Sequence, residues 1–109
     1  MTRTLTGLPA WLVQRVSAVY MLLFIVFACL HFIADPPASY EAWDAWISAP
    51  AISIATLLFF AALLLHAWVG LRDVILDYVH PPAVRVCALV LLGLGLAAMA
   101  AWILQILLR

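Results

Sequence analysis

The chain has 109 residues, of which 70% are hydrophobic and 9% charged, and its formal net charge is zero. Soluble domains have roughly 45–50% apolar and about 25% charged residues, so this composition excludes an ordinary soluble domain. The sequence contains no lysine, and its five arginines are scattered, which argues against a nucleic-acid-binding surface. We therefore predict an all-α membrane protein that lies in membrane lipid and binds no nucleic acid.

Three apolar runs cover most of the chain, at 16–34, 51–71 and 86–108. Each is close to the roughly 20 residues that cross the hydrocarbon core of a bilayer. Prolines at 36–37 and 81–82 cannot continue a helix, so they mark where the first two helices end. We expect one transmembrane domain over 1–109, with three transmembrane helices at about 11–34, 51–79 and 84–108.

The loop at 35–50 carries three carboxylates and no arginine. Ser39 is a typical N-cap residue, and a short helix after it would carry Trp43, Trp46 and Ile47 on one side. Because tryptophan is enriched at membrane interfaces, this pattern predicts a short amphipathic helix lying at the interface.

The arginines predict the orientation of the chain. Those on one side of the predicted bundle are Arg3, Arg15, Arg72 and Arg85, whereas only Arg109 falls on the other. Cytoplasmic loops carry the excess of arginine and lysine. We therefore expect a cytoplasmic N-terminus and a C-terminus outside.

The third helix carries small residues at four-residue spacing, Gly93, Ala97 and Ala101. Such a stripe allows close packing between membrane helices. The helix has no charged or histidine side chain between Arg85 and Arg109, so we assign it a structural role.

A single stripe of the second helix joins a histidine in an apolar run to a charged cluster. Its members are His66, Gly70, Asp73 and Asp77. The step from His66 to Asp77 brings them within roughly 20° of one face, about 16 Å apart along the axis. Gly70 leaves the stripe without a side chain one turn from His66, which predicts that something bulky approaches there.

By its residue type and position, His66 has three interpretations. It is a neutral histidine hydrogen-bonded inside the bundle, a haem or metal ligand, or part of a proton relay. Haem is favoured over zinc because zinc needs three or four clustered ligands, whereas one histidine suits an axial haem site whose second ligand comes from elsewhere. His31 lies near the outer end of the first helix, so we expect an interfacial histidine there.

Other polar residues lie at the cytoplasmic ends of the helices. Tyr78 has a phenol that can donate a hydrogen bond to a quinone carbonyl, and Asp77 can hold an arginine or supply protons. The alternative is an anchoring tyrosine beside a solvated aspartate. Arg15 is either a cytoplasmic anchor or a partner for an anion such as a haem propionate or Asp73/Asp77, and Ser17 is interpreted as a helix-packing hydroxyl.

Arg72 and Asp73 are adjacent in the sequence. Neighbouring side chains on a helix point about 100° apart, so these two need not pair with each other.

Taken together, three motifs resemble the small membrane-anchor subunit of succinate dehydrogenase, the succinate:quinone oxidoreductase of respiratory complex II. They are Arg15-x-Ser17, His66-x3-Gly70 and Asp77-Tyr78-Val79-His80-Pro81. The segment Tyr40-Glu41-Ala42-Trp43 also looks like the outer interfacial turn of that subunit. The resemblance covers nearly the whole chain, and the spacing from His66 to Asp77-Tyr78 is its most specific part.

The resemblance implies a non-flavin subunit of an enzyme whose dehydrogenase chemistry resides on a flavoprotein subunit and an iron–sulfur subunit. With a second hydrophobic anchor subunit, this chain would form a helical bundle that binds one haem b and helps form the ubiquinone site. His66 would be an axial ligand of the haem iron, and Arg15 would lie near the propionates. Tyr78 would hydrogen-bond the quinone and Asp77 would support that site, while this chain itself would hold no catalytic residue.

The resemblance leaves related alternatives open. One is a haem b anchor of another quinone-linked dehydrogenase or of fumarate reductase. Another is the larger anchor subunit of the same complex, whose arginine is followed by a histidine where this chain has Asp73; Asp77-Tyr78 and the short N-terminus favour the smaller anchor. The third is a structural or assembly protein in which His66 and Asp77 bind only helix neighbours.

The N-terminal residues before the first apolar run contain no Arg/Ser-rich transit peptide. We therefore expect a multi-pass protein of a bacterial cytoplasmic (inner) membrane.

Overall fold

The computed structural model describes residues 8–108. Within them lie four helices, α1 (Leu8–Ala34), α2 (Tyr40–Ser48), α3 (Pro50–Tyr78) and α4 (Pro82–Leu107), and no strand. The helices α1, α3 and α4 are long and apolar enough to cross a membrane. The prediction of an all-α protein with three transmembrane helices is confirmed. Arg3 and Arg109, two of the arginines used to predict the orientation, lie outside the described residues.

Two of the long helices begin at a proline. The first residue of α3 is Pro50 and that of α4 is Pro82, whereas the sequence placed these starts near 51 and 84. A proline is compatible with the first turn of a helix, because its missing N–H has no intrahelical partner there and its φ is already helical. Pro82 therefore begins α4 directly after the short turn that ends α3.

The short helix α2 has the cap predicted for it. Ser39 is its N-cap residue, and the Ser39 hydroxyl oxygen accepts a hydrogen bond of 3.1 Å from the backbone N–H of Ala42. On the other side of α2, the Trp46 ring stacks on His31 with 4.7 Å between the ring centroids. The prediction of a Ser39-capped helix is confirmed, and α2 packs against the C-terminal end of α1.

Helix α3 packs against both other long helices. On the α1 side, Phe24 and Phe59 stack with ring centroids 4.8 Å apart, and the Tyr20 hydroxyl donates a 2.6 Å hydrogen bond to the Ala55 carbonyl. On the α4 side, the Trp68 ring lies against Gly93, where an added Cβ would be 3.7 Å from Trp68 Cζ3.

The small-residue stripe of α4 packs within this chain only in part. Gly93 faces Trp68, whereas Ala97 and Ala101 are exposed, so Gly93 is the member of the stripe that packs against α3. A four-residue step turns about 40° around a helix, so two steps move Ala101 roughly 80° away from the face that carries Gly93.

The chain buries almost nothing by itself. Among residues 8–108 the buried side chains are Ser17, Thr56 and Val69. The large apolar side chains of all three long helices are mostly exposed. Lipid tails and helices of other subunits can cover such surfaces, since membrane helices need no aqueous core.

The turn between α3 and α4 is fastened by Arg85. Its Nε donates a 2.9 Å hydrogen bond to the Val79 carbonyl, and its Nη2 donates a 3.1 Å bond to the Leu76 carbonyl. Carbonyls at a helix C-terminus lack intrahelical partners, and a cation there also interacts favourably with the helix dipole. Arg85 thus holds the last turn of α3, which carries Asp77 and Tyr78.

Candidate functional site

A cavity of about 580 Å³ lies between the N-terminal part of α1 and the C-terminal half of α3. We call it the polar cavity; it is lined by Ala10, Trp11, Gln14, Arg15, Ala18, His66, Arg72 and Asp73. It brings together two side chains that the sequence singled out, His66 and Arg15, although they are far apart in the chain. The antiparallel packing of α1 on α3 is what places them in one cavity.

His66 is hydrogen-bonded across the two helices. Its Nδ1 lies 3.0 Å from the Ser17 hydroxyl oxygen. Ser17 is 6% exposed, and its hydroxyl is also 3.2 Å from the Gln14 carbonyl of its own helix. The sequence interpretation of Ser17 as a helix-packing hydroxyl did not include its contact with His66. The sequence alone does not show which residue of α1 faces His66.

The space beside Gly70 is taken by a side chain of α1. A Cβ added at Gly70 would lie 3.5 Å from Gln14 Nε2, an ordinary van der Waals distance. Within the chain, the group that approaches Gly70 is thus Gln14. The Gln14 Oε1 atom is buried and has no hydrogen-bond partner among the described residues, so this amide oxygen is available to a donor in the cavity that Gln14 lines.

The charges of the polar cavity are unevenly paired. Arg72 Nη2 lies 3.2 Å from Asp73 Oδ1. These neighbours do pair, because the long arginine side chain spans the angle between them. The Arg15 guanidinium instead lies over Trp11, 5.6 Å from the ring centroid, and no carboxylate among residues 8–108 pairs with it. Two arginines and one aspartate leave one excess positive charge, which favours an anionic ligand group.

Asp77 and Tyr78 lie apart from the polar cavity. Both are in the last turn of α3, neither lines the cavity, and Tyr78 is 77% exposed. The distance along the helix from His66 to Tyr78 is about 18 Å at 1.5 Å per residue. The two ends of the stripe, at His66 and at Asp77-Tyr78, therefore lie in separate places of the fold, and Tyr78 is exposed at the surface of the chain.

His31 is distant from His66. His66 lies beside Ser17, and His31 is fourteen residues further along α1, about 21 Å away along the axis. The His31 ring packs against both Phe27 and Trp46, whose rings also stack on each other. It belongs to an aromatic cluster at the opposite end of the helices and does not contribute to the polar cavity.

Comparisons with known proteins identify the family of the chain. Residues 2–101 match the family described as Succinate dehydrogenase/Fumarate reductase transmembrane subunit. A similar relative is the succinate dehydrogenase hydrophobic membrane anchor subunit of Coxiella burnetii (strain RSA 493 / Nine Mile phase I). It is 31% identical over 101 residues, which cover 93% of this chain and 88% of the relative. The chain therefore belongs to the family of succinate dehydrogenase and fumarate reductase transmembrane subunits.

Proposed function

We propose that this protein is a membrane-anchor subunit of succinate dehydrogenase. It helps to bind one haem b and ubiquinone, and through it electrons from succinate oxidation reach the quinone pool. The observation that carries the proposal is the polar cavity, in which His66, hydrogen-bonded through Nδ1, lies together with Arg15, a cation that pairs with no carboxylate among residues 8–108. Membership of the family supports its assembly with the other subunits of the enzyme.

The residues of the polar cavity fit a haem. Ser17 engages Nδ1 of His66, so Nε2 is the ring nitrogen left for an iron ion. Arg15 and Arg72 would supply cations for the propionates, and Trp11 would supply apolar contact. Among residues 8–108 no three His, Cys, Asp or Glu side chains cluster as metal ligands, and a haem shared with a second anchor would need one histidine, His66, from this chain. When bound, the haem supplies a one-electron redox centre within the membrane.

The ubiquinone site would use the exposed end of α3. The Tyr78 phenol donates a hydrogen bond to a quinone carbonyl, and the neighbouring Asp77 carboxylate supports that site electrostatically. Arg85 holds this last turn in place through the Leu76 and Val79 carbonyls. Because Tyr78 is exposed in this chain, the iron–sulfur subunit and the second hydrophobic anchor would complete the site, and the flavoprotein subunit would bind to the iron–sulfur subunit.

The proposed membrane is the bacterial cytoplasmic (inner) membrane, with the N-terminus cytoplasmic and the C-terminus outside. Arg15, Arg72 and Arg85 all lie toward the same end of the three long helices. The acidic residues of the 35–50 loop lie toward the opposite end. This distribution supports the orientation under the positive-inside rule.

The haem assignment is tested by the dithionite-reduced minus oxidised absorption spectrum of the purified complex. We expect a b-type α band in the wild type and its loss, or a changed ligation in electron paramagnetic resonance (EPR) spectra, in His66→Ala. His31→Ala is the matched control, because it removes a histidine from the opposite end of α1, and its spectrum should equal that of the wild type. A full band with unchanged ligation in His66→Ala would contradict the assignment.

A further inference from the structure

We propose that Ser17 is a positioning residue for the His66 ligand. Its hydroxyl oxygen accepts a hydrogen bond from Nδ1–H of His66, which keeps Nε2 unprotonated and fixes the plane of the ring. This inference rests on the proposed haem site and adds to it the residue that sets the tautomer and orientation of the axial histidine.

The tautomer follows from counting protons at the Ser17 hydroxyl. Its oxygen lies 3.2 Å from the Gln14 carbonyl and 3.0 Å from His66 Nδ1. The carbonyl can only accept, so the one hydroxyl proton goes to Gln14, and toward His66 the oxygen acts as an acceptor. Both hydrogen bonds form together only when Nδ1 carries the proton, and this leaves Nε2 with a free lone pair.

The burial of Ser17 makes this hydrogen bond hard to replace. Ser17 is one of three buried residues among 8–108, so water has little access to the hydroxyl. About one turn away along both helices, the Gln14 side chain lies against Gly70. A hydrogen bond in such a low-dielectric position is stronger than one exposed to solvent, and its loss leaves the His66 N–H unpaired.

The hydrogen bond has a predictable effect on the iron. A histidine ligand that donates its second N–H to an acceptor is a better electron donor to the metal and has a fixed orientation. More electron density on the iron stabilises its oxidised form. Loss of the Ser17 hydroxyl should therefore raise the midpoint potential of the haem.

The experiment compares Ser17→Ala and Ser17→Thr in the whole purified complex, by potentiometric titration of the haem α band and by EPR spectroscopy. Ser17→Ala should raise the midpoint potential and broaden the low-spin EPR signal. Ser17→Thr retains a hydroxyl and should restore both properties. Thr56→Val is the matched control, because Thr56 is a buried hydroxyl that donates only to the Ile52 carbonyl of its own helix, 2.8 Å away, and its haem should behave as in the wild type.

The outcomes separate this inference from the proposed function. Absence of haem from the wild-type complex would refute the haem site itself. A normal haem in the wild type with the same potential and EPR signal in Ser17→Ala would overturn the role of Ser17 alone. Equal changes in Ser17→Ala and Ser17→Thr would also overturn it, whereas loss of haem in Ser17→Ala but not in Ser17→Thr or Thr56→Val would support it.

Discussion

At the scale of single residues, the two arginines of the polar cavity are not equivalent. Arg72 is paired with Asp73, whereas Arg15 lies over Trp11 without a carboxylate partner in the described part of the chain. An incoming propionate would therefore gain more from Arg15, because Arg72 must share its charge with Asp73. Of the two arginines, Arg15 should therefore contribute more to the binding of an anionic ligand group.

This difference predicts the sign of the effect of Arg15→Gln on the haem potential. A nearby positive charge favours the reduced iron, so its removal should lower the midpoint potential, opposite in sign to Ser17→Ala. The change should correspond to about 1 kcal/mol or less, since exposed ion pairs contribute roughly 0.2–1 kcal/mol. Potentiometric titration measures it, and Arg15→Lys, which keeps the charge, serves as the control. A potential that rises in Arg15→Gln would be inconsistent with a propionate partner.

Tyr78 carries the residue-scale prediction for the quinone. Tyr78→Phe removes the phenol hydroxyl and should lower ubiquinone reduction up to about tenfold, because one hydrogen bond contributes about 0.5–1.5 kcal/mol. Succinate oxidation by an artificial acceptor should be unchanged, since the proposed function assigns that reaction to other subunits. Tyr40→Phe, at the start of α2, is the control and should leave both activities unaltered. An equal loss of both activities in Tyr78→Phe would indicate defective assembly instead.

At the scale of helices, the end of α3 depends on a residue of α4. Arg85 reaches back from the first turn of α4 to the carbonyls of Leu76 and Val79. The prolines at 81–82 end α3 and at the same time allow α4 to begin within a few residues. The short turn therefore brings Arg85 close enough to cap the helix that presents Tyr78.

We expect Arg85→Ala to loosen this last turn. Loss of the two hydrogen bonds to the Leu76 and Val79 carbonyls, each of which contributes about 1 kcal/mol, should increase amide hydrogen exchange at 76–80 by up to about thirtyfold. The looser turn should also raise the KM for ubiquinone, because it holds Tyr78 less firmly. The haem spectrum should not change, since the polar cavity lies further along α3. Arg85→Lys keeps the positive charge but cannot donate in the same forked geometry. Its amide exchange and its KM should therefore lie between those of the wild type and those of Arg85→Ala. Unchanged exchange and KM in Arg85→Ala would show that the cap is dispensable.

At the scale of the whole molecule, this chain exposes most of its large apolar side chains instead of burying them in a core of its own. Among the described residues, its three long helices bury one apolar side chain, Val69, which is still 6% exposed. The aromatic cluster around His31 lies at one end of the helices, and the polar cavity lies at the other. Such a chain packs by van der Waals contact and hydrogen bonds with other membrane helices, because lipid provides no hydrophobic drive for helix association.

We therefore expect the tagged chain to co-purify with other subunits when the membrane is solubilised in detergent. Mass spectrometry should identify a second hydrophobic anchor, an iron–sulfur subunit and a flavoprotein subunit in equal amounts. Expression of the chain without the second anchor should give a protein that lacks the b-type α band, since the second axial ligand is then missing. A chain that purifies alone with a complete b-type spectrum would argue against a haem shared between two anchors.

The amino-acid sequence alone determined the three transmembrane helices, the Ser39 cap and the turns at the prolines, because apolar runs, caps and proline geometry act within a few residues. It also singled out His66, Asp77 and Tyr78 by their spacing. Only the tertiary structure decided that Ser17 and Arg15 join His66, that Gln14 covers Gly70, and that Ala101 is left exposed. These contacts depend on the rotation and register of α1, α3 and α4, and helices that are apolar on all sides carry no stripe that reveals which face meets a neighbour.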